Sequence, residues 1–321
     1  MRVAVMGAGG FIGGHLVRRL LDEGHYVRAV DIKHYRSWWQ QHDNADIYSG
    51  CDLRLRTICR EVCQDIDHVY NLAADMGGIG FIENNKADCM LSVLINTHLL
   101  QAARGAGVKR YFYSSSACVY AADKQDSPAV TALKESDAYP AMPEDGYGWE
   151  KLFSERMCRH FMEDFGIECR VARFHNVYGP HGSWNDGREK APAAICRKVA
   201  DAKLSGNHKI DIWGDGTCTR SFMWIDDCVE GIRRIMDSDI QNPINLGNSQ
   251  VVSVDQLVGI VEGIAGVKLQ RQYDTSKPQG VKGRNSDNRL IQIELHWEPS
   301  TPLGVGMAKL YKWIEQQVRE T

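Results

Sequence analysis

The run "VAVMGAGGFIGGHLVRRLL" (3–21) constrains this chain more than any other stretch. Its first residues are a short apolar segment ending in glycine, which suits a buried parallel strand. Gly7, Gly10 and Gly13 then fall at G-x-x-G-x-x-G spacing, and helical periodicity begins at Phe11. Each glycine has its own physical task. Gly7 permits a tight turn out of the strand, Gly10 lets the backbone approach a pyrophosphate, and Gly13 lets the helix lie close on the sheet. The start of that helix, Phe11 and Ile12 included, offers free amide donors to phosphate oxygens. "YVRAVDI" (26–32) reads as a second strand. Its Asp31, eighteen residues past Gly13, stands where a carboxylate accepts hydrogen bonds from a ribose 2′-hydroxyl. A 2′-phosphate would be repelled there, so the pattern selects NAD over NADP.

The following segments extend the same pattern. "CDLR" (51–54) reads as the end of a third strand, with Asp52 and Leu53 at the adenine. "HVYNLAADMGG" (68–78) reads as a fourth strand opening into a glycine-rich loop. Residues 83–106 form one long helical stretch, and "KRYFYSSS" (109–116) forms another strand. Strands alternating with helices predict an α/β fold, a doubly wound parallel sheet with a smaller α/β substrate lobe. The NAD-binding domain is placed at 1–173 and 217–249, and the substrate lobe at 174–216 and 250–321.

Composition narrows the function classes. The 321 residues are 43 % hydrophobic and 25 % charged, with a net charge of −3. A sequence-independent nucleic-acid or membrane-surface binder would show a basic excess instead. No apolar run reaches the roughly 18 residues of a membrane span. The N-terminus is broken by glycines after a few residues and reads as the first fold element, not as a signal peptide. Ten cysteines without an export signal favour a reducing compartment, the cytoplasm. Cys59 and Cys63 stand four apart, but no histidine pair follows at zinc spacing, so no metal is expected.

Past the strand that ends at Ser116 comes "YGWEK", with Tyr147 and Lys151 at Y-x-x-x-K spacing. On a helix these positions share a face, which sets an ammonium beside a phenol. A phenol with pKa near 10 is a poor base at neutral pH. A cation ~4 Å away at an effective dielectric of ~20 contributes about 4 kcal/mol and would lower that pKa. Tyr147 then becomes an acid/base, with Ser116 bonded to the same substrate hydroxyl.

Taken together, the glycine motif, Asp31, "NLAA", Ser116 and "YGWEK" resemble the extended short-chain dehydrogenase/reductase family of nucleotide-sugar enzymes. The resemblance continues through "RFHNVYGP" (173–180) and "WGDGTCTRSFMWIDD" (213–227) and covers nearly the whole chain. A narrower likeness lies in "NLAADMGGIGFI", "SSACVY", "GREKAPAA" and "GVKGRNSDN". These resemble the branch of the family that inverts carbons 3 and 5 of a GDP-linked mannose. The resemblance implies that Ala73, Tyr147, Lys151 and Phe174 touch the cofactor. It also implies that Gly77, Ser116, Cys118, Asn176, Glu189, Lys190, Ala191, Lys198, Arg220 and Arg284 touch the substrate. Cys118 is implied as the base and Lys190 as the acid, with Lys190 lowering the Cys118 pKa. Asn176, Lys198, Arg220 and Arg284 are expected on the diphosphate. Cys218 and Lys282 depart from that branch, which has glutamine and arginine there. Helices near 85–106 and 147–165 pair across a dimer axis in the family, so a homodimer is implied.

This reading explains why a thiol stands in "SSSACVY". Once carbon 4 is a ketone, the protons on carbons 3 and 5 can leave as enolates. Inversion then needs one group to take a proton and another to return one on the opposite face. Two other readings stay open at this point. One is a 4-epimerase, dehydratase or decarboxylase of the same family, with Cys118 a small filler. The other is a non-catalytic NAD-binding sensor, which would have no need for Tyr147, Lys151 and Ser116.

Overall fold

The computed structural model describes residues 1–129 and 131–321. In chain order the first strands are β1 (Arg2–Met6), β2 (Tyr26–Asp31), β3 (Asp46–Ser49), β4 (His68–Asn71), β5 (Arg110–Ser116) and β6 (Glu168–Phe174). They are followed by β7 (Asn176–Tyr178), β8 (Lys209–Trp213), β9 (Thr219–Trp224) and β10 (Ile244–Leu246). The last are β11 (Val251–Ser253), β12 (Gln270–Asp274) and β13 (Gly283–Arg284). Seven of them form one parallel sheet in the order β10-β6-β5-β4-β1-β2-β3. The doubly wound α/β expectation therefore holds.

Alternation along the strands builds two cores. Val3 and Val5 face one side, where the helices Phe11–Asp22 and Ile225–Asp237 pack; Ala4 and Met6 face the other. The second side is covered by Arg56–Val62, Ser92–Gly105 and Tyr147–Phe165. The first core runs on without a break into the C-terminal part, where Ala191–Ser205, Val254–Ala265 and Leu303–Glu320 pack together. A second sheet sets β9 between antiparallel β11 and parallel β13, with β7 also paired to β9. A third pairs β8 with β12.

Two details differ from expectation. The helical stretch at 83–106 is broken into Ile79–Asn84, Lys86–Met90 and Ser92–Gly105. The side chains of Asn84 and Asn85 donate to the Gly80 and Phe81 carbonyls, competing with the helix's own ladder. The third strand lies earlier than "CDLR", ending at Ser49 and leaving Asp52 and Leu53 in the loop beyond it. Within 217–249, Ile225–Asp237 and β10 return to the large sheet, whereas β9 belongs to the second one.

A buried ion pair ties the helix Tyr147–Phe165 to the sheet. Arg173 on β6 forks onto both Glu155 oxygens at 2.9 and 2.7 Å, and Ser115 donates to the same carboxylate at 2.5 Å. Both partners are 3 % exposed. Removing one leaves an uncompensated buried charge, which costs about 3–5 kcal/mol. Glu155→Ala should therefore lower the unfolding free energy by about that amount, read from urea denaturation. A loss below about 1 kcal/mol would show that the pair does not anchor this helix.

Candidate active site

The glycine turn is built as its spacing implies. Gly7 has a φ of 83° and donates to the Val30 carbonyl at 2.8 Å. A Cβ on Gly13 would run into the Gly7 carbonyl, whereas one on Gly10 would meet only that carbonyl, at 3.1 Å. The space over Gly10 is thus left for a ligand. Asp31 is buried, and its oxygens accept from the Gly9 and Lys33 amides at 2.9 Å each. Burial raises its pKa, against the pull of the Lys33 amide and charge. The bond to Gly9 had no signal beyond the glycine run itself. The Phe11 ring lies against Gly179 and Gly182, packing the glycine turn onto the segment after β7. Trp38, which no motif marked, covers Gly9 from the other side. Asp52 is held by Arg54 in a two-pronged contact at 2.8–3.1 Å, beside buried Leu53. The Ala73 amide bonds the Asn71 side chain, and Phe174 ends β6 in register with Ser116.

The expected catalytic residues converge where β5 ends. Ser116 caps the turn Ala117–Val119, its hydroxyl accepting from the Cys118 amide at 3.2 Å. The helix Tyr147–Phe165 starts directly against that turn, since a Cβ on Gly148 would collide with the Cys118 carbonyl. Tyr147 and Cys118 share one buried cluster with Ile82 and Cys89. Lys151 is almost fully buried and donates to the Ser114 carbonyl at 3.0 Å. Its ammonium lies 5.5 Å from the Tyr147 ring centroid and 3.8 Å from Glu150. The expected lowering of the Tyr147 pKa is absent. Burial drives it well above 10, followed by the charges of Cys118 and Glu150, and the Ser116 hydrogen bond opposes them. Lys151 sits at the ring and the Ser114 carbonyl, and burial penalises the phenolate more than this arrangement relieves it.

Around the thiol the structure adds a second cation. The Cys118 pKa is raised, first by burial and then by the Glu144 carboxylate. Arg284 opposes them, and Lys190 is coupled to the same thiol. Arg284 donates through Nη1 to Cys118 Sγ at 3.6 Å, through Nε to Gln125 Oε1 at 2.7 Å, and through Nη2 to Glu144. Its guanidinium is thus committed to the thiol. Gln125 and Glu144 escaped the sequence because their partner lies more than a hundred residues away. Lys190 is the N-cap of Ala191–Ser205 and has no carboxylate partner among the described residues. Burial lowers its pKa, with the nearby Cys118 pulling the other way.

Glu189 accepts from Arg197 at 3.1 Å through Oε1, while Oε2 is buried without a partner. The Gly78 amide donates to the Arg188 carbonyl at 2.9 Å. The Arg188 side chain bonds Asp75 at 2.7 Å and lies 3.9 Å over the Phe81 ring. A Cβ on Gly77 would strike the same ring. These contacts strap the "GREK" loop onto the loop after β4.

Two of the four expected phosphate contacts sit on neighbouring strands. Asn176 on β7 donates to the Ser221 carbonyl of β9 at 3.3 Å. Arg220 on β9 bonds the carbonyls of Thr219, Gln279 and Val281, with no carboxylate partner among the described residues. Burial lowers its pKa to about 10, the state of a cation lacking an anion. Lys198 is bonded to the Asp211 carbonyl at 2.8 Å and lies 5.9 Å from the ring of Trp213. Trp213, 46 % exposed and close to Gly80, was not marked by any motif.

This combination of glycine turn, buried carboxylate and Ser-Tyr-Lys set is matched by a family model. The model of the NAD dependent epimerase/dehydratase family matches residues 3–247, and the chain belongs to that family. The likeness reaches further in GDP-mannose 3,5-epimerase 1 of Oryza sativa subsp. indica. That enzyme is 46 % identical over 325 aligned positions, spanning 100 % of this chain and 83 % of the relative. Among solved structures, UDP-glucose 4-epimerase of Thermotoga maritima has the same fold, with a TM-score of 0.88. It is 22 % identical, over 99 % of this chain and 100 % of the other. UDP-glucuronic acid 4-epimerase of Bacillus cereus, solved with UDP-glucuronic acid and NAD, is 25 % identical with a TM-score of 0.83. The match covers 99 % of this chain and 100 % of that one.

The Arg188 strap predicts a local effect. Both partners of the Arg188–Asp75 pair are 43 % exposed, so its loss should cost at most about 1 kcal/mol of global stability. Arg188→Ala should nonetheless speed hydrogen exchange at 75–82 and 184–190 while leaving the β5 and β6 amides unchanged. Equal exchange at both loops in variant and wild type would show that the strap does not hold them.

Proposed function

We propose that this chain binds NAD and inverts carbons 3 and 5 of GDP-mannose. The observation that carries the proposal is the meeting of four groups. Cys118, Tyr147 and Ser116 converge at one turn, and Lys190, a cation without a carboxylate partner, lies within electrostatic range of Cys118. The relative at 46 % identity supports the substrate.

The glycine turn fits a pyrophosphate, with Gly7, Gly10, Phe11, Ile12 and Gly13 around it. Both Asp31 oxygens, each held by one amide, keep lone pairs for ribose hydroxyls. Asp52 and Leu53 border the adenine end; Ala73, Tyr147, Lys151 and Phe174 border the nicotinamide end. Bound NAD supplies a hydride acceptor and donor for sugar carbon 4.

The side chains do the rest. The positive charge that bound NAD would add to that of Lys151 favours the Tyr147 phenolate. As phenolate, Tyr147 takes the proton of the carbon-4 hydroxyl and later returns it, while Ser116 holds the same oxygen. With a ketone at carbon 4, the Cys118 thiolate removes a proton from an adjacent carbon, giving thiol and enolate. The Lys190 ammonium returns a proton on the opposite face, leaving an amine and an inverted carbon. Loss of the thiol proton and gain of one by the amine, exchanged with solvent, reset the pair for the second carbon. Asn176, Arg220 and Lys198 receive the diphosphate, with Trp213 as an exposed ring for the base. The free Glu189 Oε2, with Gly77 and Ala191 beside it, suits a sugar hydroxyl, and Arg284 borders the sugar next to Cys118.

The proposed lobes are 1–173 with 217–249 for NAD, and 174–216 with 250–321 for the sugar nucleotide. Exposed Leu91, Leu94, Trp149 and Phe153 lie on or beside the helices Ser92–Gly105 and Tyr147–Phe165, and they support a homodimer through that face. Ten free thiols support a reducing, cytoplasmic setting.

The test is incubation with GDP-mannose in deuterated water, with label mapped by carbon position. Tyr147→Phe should take up no label, because no ketone forms. Cys118→Ser and Lys190→Ala should still pass hydride at carbon 4 yet lose label at carbons 3 and 5. Undiminished label in Cys118→Ser would make that cysteine a filler and return the protein to plain 4-epimerases.

A separate expectation concerns binding. Asp31→Ala should weaken NAD retention, and Arg220→Ala should raise KM for the nucleotide sugar, each by about tenfold or more, the scale of one charge-assisted hydrogen bond. An unchanged KM would remove Arg220 from the site.

A further inference from the structure

The thiol has an unusual set of neighbours for a base. Arg284 reaches it from β13, with Nη1 3.6 Å from Sγ, and the same guanidinium is gripped by Glu144 and Gln125. Glu144 stands three residues before Tyr147, and its own amide donates to the Cys118 carbonyl at 3.0 Å. The carboxylate side chain is 17 % exposed and shares the Arg284 guanidinium with the thiol, and its charge raises the thiol pKa. Three groups from three parts of the chain thus share one contact. The other charged or titratable groups around Cys118 include Arg220, Lys190, Tyr147 and Cys89.

We propose that Glu144 is a positioning residue for the inversion step, holding Arg284 on Cys118 and serving as the acceptor for the thiol's own proton. The proposal rests on the epimerase reading above, because it assigns Cys118 the role of base. Cys118 cannot take a proton from carbon while it carries one. The transfer is internal: the S–H bond breaks, an O–H bond forms on Glu144, and the carboxylate charge moves to sulfur. No proton enters or leaves the site in this step. Arg284, already bonded to both groups, faces the negative charge before and after the transfer, so little has to move. At rest the proton stays on sulfur, so the transfer runs uphill and is drawn forward when the thiolate takes the proton from carbon. Burial and Glu144 keep the thiol protonated, and Arg284 lowers the Glu144 pKa against its burial.

The first test needs no substrate. Cys118 in the NAD-loaded full chain is alkylated with iodoacetamide across pH, and the labelled peptide is resolved by mass spectrometry from the other cysteines. Glu144→Gln preserves size and an acceptor for Arg284 but removes the charge. It should alkylate at neutral pH about tenfold faster than wild type or more, because the thiolate no longer faces a carboxylate. Arg284→Lys keeps a cation but loses the fork, and it should alkylate more slowly than wild type.

The second test is deuterium uptake at carbons 3 and 5 of GDP-mannose. Wild type should show a flat profile across neutral pH. Glu144→Gln should gain a limb rising about tenfold per pH unit, since the proton must now leave to solvent. Glu144→Asp should restore the flat profile. An unchanged alkylation rate in Glu144→Gln, or a uniform loss of uptake with no new limb, overturns the proposal. A wild type that takes up no label at carbons 3 and 5 overturns the epimerase reading instead, and the alkylation result then still decides the charge relation of Glu144 to Cys118.

Discussion

The helix that begins at Tyr147 presses its first turn onto the turn that ends β5, and the chemistry of this protein depends on that contact. Gly148 has no side chain because the Cys118 carbonyl occupies the space a Cβ would need. The Glu144 amide closes the same junction with a hydrogen bond to that carbonyl. Any residue larger than glycine at 148 would push the helix away from the strand end. Tyr147 and Cys118 would then no longer share one buried cluster. The anchorage is reinforced deeper in the sheet, where Glu155 of the helix forks with Arg173 of β6 and accepts from Ser115 of β5.

This arrangement explains why the charges in the site come from far apart in the chain. A buried thiol and a buried phenol are both driven toward their neutral forms, so ionising either requires charges placed by other elements. β13 delivers Arg284 to the thiol, and the start of the helix Ala191–Ser205 delivers Lys190. β9 delivers Arg220, whose buried guanidinium lacks a carboxylate partner among the described residues and suits an anionic ligand. The nucleotide side works on the opposite principle. There the groups on offer are the backbone amides of the glycine turn and one carboxylate, Asp31, held by two amides.

Family membership and the thiol separate two levels of inference. The glycine turn, the Asp31 position and the Ser-Tyr-Lys set all lie within residues 3–247, the stretch that the NAD dependent epimerase/dehydratase family model matches. The stretches that carry the narrower likeness include Cys118, the "GREK" loop and the Arg284 segment, and Arg284 reaches Cys118 directly. A protein that only binds NAD would not need a buried arginine joining a thiol to a carboxylate.

By itself the sequence determined the parallel sheet, the glycine turn, the acid at the end of β2 and the Y-x-x-x-K helix, which runs over the expected residues 147–165. These are local signals: strand burial, glycine spacing and helical periodicity each act within about twenty residues. Local signals also misled. Residues 83–106 read as one helix but are cut at Asn85, where asparagine side chains take the carbonyls the ladder needs. Charge relations depended on tertiary structure alone. Family likeness gave Lys190 the task of lowering the Cys118 pKa, whereas the fold placed Arg284 on the thiol as well and added Glu144 against it. It likewise set Lys151 at the Ser114 carbonyl, so that burial decides the Tyr147 pKa. A pKa depends on distance, direction and desolvation in three dimensions, and no one-dimensional spacing encodes which of two distant cations will reach a thiol.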